Sequence, residues 1–86
     1  MQKIAGKEYL TIHIETGGSY EIEYDNEQYV DILNATDGYI KVSTDEITED
    51  NYALIPDGAA YNDIKITGGK LYVISESTGY ISLVAR

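Results

Sequence analysis

Short runs of alternating apolar and polar residues, separated by closely spaced turn signals, constrain this chain more than any other feature. The pattern is clearest over residues 31–86, where Asp37–Gly38, Asp57–Gly58 and Gly68–Gly69 divide the apolar runs. A period of two places successive side chains on opposite faces of a strand, and no run has convincing helical periodicity. The sequence therefore predicts an all-β fold. We expect a small antiparallel β-sandwich of about seven or eight strands, built from hairpins and jelly-roll or Ig-like in type.

The predicted strands form a single domain, residues 8–86, preceded by a short N-terminal arm, residues 1–7, as suits a chain of 86 residues. They cover residues 8–15, 19–24, 28–33, 39–43, 52–55, 61–66, 71–75 and 80–85. The predicted inward residues are Leu10, Ile12, Ile14, Tyr20, Ile22, Tyr24, Val30, Ile32, Ile40, Val42, Ile64 and Ile66. Glu21 should face solvent, and Gly68–Gly69 should close a hairpin. The last two strands are apolar on both faces, which is typical of central strands or of strands covered by another subunit.

Charge limits the partners that this chain can have. It contains 15 acidic and 6 basic residues, a net charge of -9, and no basic residue lies between Lys7 and Lys41. Nucleic acids and anionic membranes both require clustered Lys and Arg, so the sequence predicts neither as a partner. The acidity either keeps the domain soluble or provides a face for a basic partner. There is no cysteine, and the N-terminus has no apolar run typical of a signal peptide, so we expect a protein that is not exported.

Four segments contain part of a pattern associated with chemistry, and none has the full pattern of its class. His13, the only histidine, lies on the polar face of the first predicted strand, without the serine motif of a hydrolase. Residues 67–70 (TGGK) lack the earlier glycine of a phosphate-binding loop, and the acidic loop Asp45–Asp50 lacks the ligand spacing of a calcium-binding EF-hand. Residues 34–36 match a glycosylation acceptor but are expected to be an ordinary turn. The sequence predicts no enzyme, no cofactor and no metal site.

Tyrosine is the only aromatic residue type apart from the single histidine: nine tyrosines occur, with no tryptophan and no phenylalanine. Several tyrosines fall opposite the apolar rows of their strands. Such side chains can stabilise a sheet through cross-strand pairs, form a protein contact surface, or stack on sugar rings. We expect the surplus tyrosines and the N-terminal arm to form a contact surface, with Asp45–Asp50 left in solvent. The predicted partner-contact residues are Ile4, Tyr9, Tyr29, Tyr39, Tyr61, Tyr72 and Tyr80.

The order of the segments over residues 30–86 suggests a family. An asparagine-containing turn leads into a strand ending at Val42–Thr44, followed by the acidic loop, by Leu54–Gly58, by the strand Leu71–Ser75 and by a final strand. This succession resembles the small β-sandwich virion accessory proteins of tailed bacteriophages, which include head decoration proteins, auxiliary capsid proteins and fibre-base modules.

That resemblance implies a structural protein of the virion. It would bind the major capsid protein, or other virion proteins, on the capsid exterior, after assembly in the bacterial host cytoplasm. There it would stabilise the shell or anchor an appendage, with copies associating on the particle. The alternatives are a small carbohydrate-binding module and a fibre-type receptor-binding module.

Overall fold

The computed structural model describes all 86 residues, Met1 to Arg86, and confirms the all-β prediction. The strands are β1 (Gln2–Ala5), β2 (Tyr9–Ile14), β3 (Ser19–Glu23), β4 (Gln28–Thr36), β5 (Ile40–Ser43), β6 (Ala53–Ile55), β7 (Ala60–Ile66), β8 (Lys70–Ser75) and β9 (Gly79–Ala85). Eight of these nine strands coincide closely with the predicted segments, because alternating, largely β-branched residues favour strands between polar turns. The structure contains no helix that is long and apolar enough to cross a membrane.

Two sheets pack face to face. One has five strands in the order β1-β3-β8-β5-β6, and the other has four in the order β2-β9-β4-β7. Strands β8 and β9, which are apolar on both faces, each lie between two other strands of their sheet. This agrees with the prediction that they are central strands. All strand pairs are antiparallel except β1–β3.

The connections differ from the prediction. Only β5 and β6 are both consecutive in sequence and paired, and every other connection passes from one sheet to the other. The predicted hairpin at Gly68–Gly69 is therefore wrong, since β7 pairs with β4 while β8 pairs with β3 and β5. A glycine pair marks a sharp turn, but it does not decide whether the chain returns within one sheet or crosses to the second.

The core lies between the sheets and consists of 16 buried hydrophobic residues. The predicted inward rows are confirmed: ten of the twelve residues named above are buried, and Leu10 and Ile12 of β2 are half-buried against the core. These two residues are less covered because β2 is an outermost strand.

The predicted N-terminal arm is instead an edge strand. Residues Gln2–Ala5 form β1, which pairs in parallel with β3 and brings Ile4 opposite the fully buried Ile22. Ile4 is half-buried and packs against the core, so part of the side chain that was predicted to contact a partner is covered within the chain. Immediately after β1, a Cβ on Gly6 would lie 2.5 Å from the Tyr24 ring, so the close approach of the chain there requires glycine.

Residues 34–36 end β4 rather than forming a turn, and their side chains begin a buried polar cluster. The Asn34 side-chain amide donates hydrogen bonds to the carbonyls of Gly38 and Ile55, at 2.8 and 2.9 Å. Its Oδ1 accepts hydrogen bonds from the Thr36 amide and hydroxyl, at 2.9 and 2.6 Å. The Ser77 hydroxyl extends the cluster by donating to Thr36 Oγ1 at 2.7 Å. Because Asn34 is fully buried, its side chain is not accessible for glycosylation in the folded domain.

Candidate functional site

Three of the predicted contact residues lie on one surface, the outer face of the four-stranded sheet. Tyr9 is opposite Val84 in the β2–β9 register, and Tyr80 is opposite His13 of β2 and Ala35 of β4. Val84 is also opposite Asp31 of β4, so Asp31 is on the same face as Tyr9. Tyr29 is two residues from Asp31 on β4 and therefore lies on that face too. The alternation that buries Ile32, Ile81 and Leu83 therefore turns these tyrosines outward.

We call this surface the tyrosine face. Its members are Tyr9, Tyr29, Tyr80, Leu33 and Val84, together with the smaller or polar side chains of Thr11, His13, Ala35 and Ser82. Tyr9 is 71% exposed and Tyr80 is 54% exposed. Leu33 and Val84 are also exposed. Asp31 lies on the same face, opposite Val84 and two residues from Leu33. The face therefore combines five large exposed tyrosine or aliphatic side chains with hydroxyl groups and the carboxylate of Asp31.

The centre of the tyrosine face is ordered by contacts between its own side chains. His13 and Tyr80 make an edge-to-face contact with 5.1 Å between ring centroids. The Thr11 hydroxyl donates a hydrogen bond to Ser82 Oγ over 3.4 Å. These contacts limit the rotamers of exposed side chains before any partner arrives, which lowers the entropy cost of binding.

Charged groups occur on and beside this face, and those nearest to it form ion pairs. Arg86 forms an ion pair with Asp31 at 2.7 Å and a second ion pair with Asp63. Lys65 pairs with Glu27 at 3.6 Å. The Asp63 amide also donates a hydrogen bond to Asp31 Oδ1 at 2.8 Å. In a chain with a net charge of -9, the tyrosine face thus offers a surface whose nearest charges are already paired.

The structure separates the remaining predicted tyrosines from this face. Tyr72 is half-buried on β8, in the five-stranded sheet, and Tyr39 precedes β5. Tyr61 pairs with the buried Ile32, because a bulge shifts the register of β4 and β7 after Val30. It lines a cleft of about 280 Å³ beside Val42 and Tyr52, at the open edge of the sandwich. Sequence alternation alone could not place Tyr61, since a single inserted residue reverses the side to which a side chain points.

One charged residue is buried although its strand pattern predicts exposure. Glu21 was expected to face solvent, but it is only 5% exposed. Its carboxylate lies 3.9 Å from Lys3 Nζ and 3.7 Å from Lys70 Nζ, and Tyr72 is its register partner on β8. Two lysines from neighbouring strands thus compensate the buried charge. These residues are far apart in sequence, so no local pattern signals their contact.

The remaining places where chemistry could occur are a metal site, a second cleft and one titratable side chain. No group of three or more His, Cys, Asp or Glu side chains could hold a metal ion. A second cleft, of about 360 Å³, is lined by Gly6, Lys7, Glu8, Tyr24, Asp25, Asn26, Gln28 and Ala85. Burial raises the pKa of Tyr24 to about 12, and its hydroxyl has no hydrogen-bond partner. A phenol with that pKa is neutral at physiological pH, so it does not act as a base there.

No protein-family model and no curated protein matches this chain. Two solved structures share its fold at low identity. A de novo designed double-stranded β-helix, solved by NMR, aligns with 13% identity over 93% of this chain and 100% of its own, with a TM-score of 0.61. The pre-peptidase C-terminal domain of a collagenase from Bacillus anthracis aligns with 15% identity over 99% of this chain and 93% of its own, with a TM-score of 0.53.

At these identities, the two similarities concern the fold alone. They support the β-sandwich assignment that the strand order already shows. Strands that pass alternately from sheet to sheet, together with the similarity to a double-stranded β-helix, favour the jelly-roll alternative over the Ig-like one.

Proposed function

We propose that this protein is a non-enzymatic attachment module that binds a protein surface through its tyrosine face. One observation carries the proposal: Tyr9, Tyr29 and Tyr80 are exposed together with Leu33 and Val84 on one face of a strongly acidic domain. Tyrosine is enriched in protein interfaces because it buries a large area with few rotatable bonds.

The partner's chemistry follows from this surface. The partner's surface would have an apolar centre that covers the five large side chains. It would also have a few hydrogen-bond donors and acceptors that bind the hydroxyls of Thr11 and Ser82. A basic rim would complement the net charge of -9 and guide the encounter. If the partner repeats this surface many times, many copies of this chain can bind to it.

In the proposed biological setting, the partner is the shell of a tailed bacteriophage. The sequence resemblance over residues 30–86 supports an auxiliary capsid or decoration role, with the tyrosine face against the major capsid protein. The protein would then be located on the capsid exterior, and its function would be to stabilise the shell or to hold an appendage. The predicted exposed loop Asp45–Asp50 is indeed largely exposed and lies outside the tyrosine face.

Paired tyrosine substitutions test this proposal. The double variant Tyr9→Ser/Tyr80→Ser removes two exposed rings from the tyrosine face. Tyr72→Ser is the control, because Tyr72 lies on the other sheet, where this proposal, unlike the expectation from the sequence, places no contact. Binding to capsids that lack the protein would be measured by co-sedimentation. We expect the double variant to bind roughly a hundredfold more weakly, since two interface tyrosines each contribute more than about 1 kcal/mol. Equal binding by the double variant and the wild type would refute the proposal.

Deleting residues 1–6 does not serve as a test of binding. That segment contains β1, and Ile4 packs against the core, so the deletion would change folding as well as attachment.

A carbohydrate-binding or receptor-binding module is the second candidate. The observation that favours it is the combination of exposed tyrosine rings with the Thr11 and Ser82 hydroxyls on one sheet face. Sugars stack on aromatic rings and hydrogen-bond to neighbouring hydroxyls. A glycan array separates the candidates: glycan-dependent binding that is lost in Tyr9→Ser/Tyr80→Ser would favour this module over a capsid protein.

A further inference from the structure

The four edge strands of the sandwich differ in their protection against pairing with another strand. Natural edges are protected by shortness, by charged residues, by proline or by bulges. Strand β1 is short and carries Lys3; β6 has three residues and is followed by Pro56; β7 carries a bulge and Lys65. At the bulge, Asp63 has a φ of 60°. Strand β2 is the exception.

Strand β2 has none of these protections. Its six residues, Tyr9–Ile14, read YLTIHI and include no Lys, Arg, Asp, Glu, Pro or Gly. It pairs with β9 over its whole length without a register shift, so its free side is a regular edge. An uncharged strand of this length with high β-propensity readily accepts another strand.

The direction of the backbone groups shows which residues of β2 are free to pair. The Ala85 amide donates a hydrogen bond to the Glu8 carbonyl at 2.8 Å, so the residue at position 8 directs its backbone towards β9. In an antiparallel strand this direction alternates with each residue. The amides and carbonyls of Tyr9, Thr11 and His13 therefore point towards the open edge.

We propose that β2 is a self-association edge that pairs antiparallel with β2 of a second copy of this chain. A two-fold axis through Thr11 places Thr11 opposite Thr11 of the other copy. The same axis places Tyr9 opposite His13 of the other copy. This register uses all three sets of free backbone groups. It also covers Leu10 and Ile12, which are half-buried in the isolated chain.

Charge selects this register and supports a second copy as the partner. Lys7 is the only basic residue that makes no ion pair within the chain, and Glu15 makes none either. The two residues flank β2 symmetrically around Thr11. In the proposed dimer, Lys7 of each copy lies at the same end of the paired strands as Glu15 of the other copy. A register centred on Ile12 instead would oppose Lys7 with Gly17 and leave both charges unpaired.

The dimer joins two four-stranded sheets into one eight-stranded sheet with a continuous outer surface. The tyrosine faces of both copies then lie on the same side of that sheet. This inference does not depend on what the tyrosine face binds, because the strand pairing uses backbone groups and flanking charges.

Sedimentation equilibrium of the full chain between about 1 μM and about 1 mM, at about 0.15 M salt, tests the dimer. We expect a reversible monomer–dimer equilibrium. Thr11→Pro removes an amide that points to the open edge but none that bonds to β9, so this variant should keep its circular dichroism spectrum and lose the dimer.

Charge reversal provides a test that leaves the strand unchanged. Lys7→Glu and Glu15→Lys each oppose like charges in a homodimer, so each variant alone should dimerise roughly tenfold more weakly. A mixture of the two variants restores an opposite-charge pair at both ends and should form heterodimers with near wild-type affinity. An effect of net charge alone would instead make Glu15→Lys associate most strongly with itself.

Three results would overturn the inference: a monomer at every concentration, a Thr11→Pro variant that dimerises like the wild type, or a mixture without preference for heterodimers. Because these readouts concern only self-association, their failure leaves the capsid-binding test of the tyrosine face unaffected.

Discussion

Substitution of Asn34 tests how far one buried polar side chain holds this sandwich together. Asn34 is fully buried near the end of β4, and its side chain connects three parts of the chain. It donates to the carbonyls of Gly38 and Ile55, and it accepts from the amide and the hydroxyl of Thr36. The carbonyl of Ile55 belongs to β6, so this one amide group links the four-stranded sheet to the five-stranded sheet.

The expected cost of Asn34→Ala is about 3 kcal/mol of unfolding free energy. The Gly38 carbonyl keeps the Thr36 hydroxyl as a donor and Ile55 keeps its β5–β6 pairing with Ile40, so the buried Thr36 amide is the group left without a partner. A buried group that loses its partner costs about 1–3 kcal/mol, and each further hydrogen bond that is lost costs about 1 kcal/mol, which together give the estimate after partial relaxation. A domain of this size has roughly 4–13 kcal/mol of stability in total, so the change should be large and still measurable.

Urea unfolding followed by far-ultraviolet circular dichroism measures this loss. Asn34→Asp is the matched isostere: it keeps the volume and the acceptor but replaces the donors with a buried charge, so it should destabilise at least as much as alanine. Asn62→Ala is the surface control and should change stability by less than about 0.5 kcal/mol. A loss below about 1 kcal/mol for Asn34→Ala, or a stable Asn34→Asp variant, would refute the reasoning.

Two further predictions concern the packing around Tyr24. Because burial raises the pKa of Tyr24 to about 12, its contribution to stability should be constant below pH 10 and should fall as the pH rises from 10 through 12, by on the order of 2 kcal/mol. Tyr24→Phe should flatten this part of the pH profile in urea unfolding, and an unchanged profile would rule out Tyr24 as the cause. Gly6→Ala should cost about 1–3 kcal/mol, because its Cβ would lie 2.5 Å from the Tyr24 ring. Gly68→Ala, with open space around its Cβ, is the control, and similar midpoints for the two alanine variants would contradict this explanation.

Period-two alternation was sufficient to locate eight of the nine strands and to assign most side chains to the core or the surface. Tyr20, Ile22 and Tyr24 are buried as their spacing indicates, and Tyr9 and Tyr80 are exposed. This works because a strand alternates its side chains wherever it is placed in a sheet. The exceptions have specific local causes. A bulge shifts Tyr61, and two distant lysines allow Glu21 to be buried.

The candidate site was only partly predictable for the same reason. The sequence indicated that tyrosines form a contact surface, but it could not group them. Tyr9, Tyr29 and Tyr80 share a face because β2, β9 and β4 are neighbours, and Tyr72 is on the other sheet because β8 pairs with β3 and β5. The N-terminal segment gives a parallel case. One apolar residue, Ile4, does not suggest a strand until β3 is present to pair with it.

Local sequence thus determined the approximate positions of eight of the nine strands and which of their faces is apolar, since these depend on neighbouring residues and on turn chemistry. Tertiary structure alone decided which strands pair and on which sheet each one lies. Strand pairing uses backbone amides and carbonyls, which are nearly the same for every residue and carry little sequence information. Pairing is therefore selected by how the apolar faces of all nine strands can be buried at once, and that is a property of the whole fold.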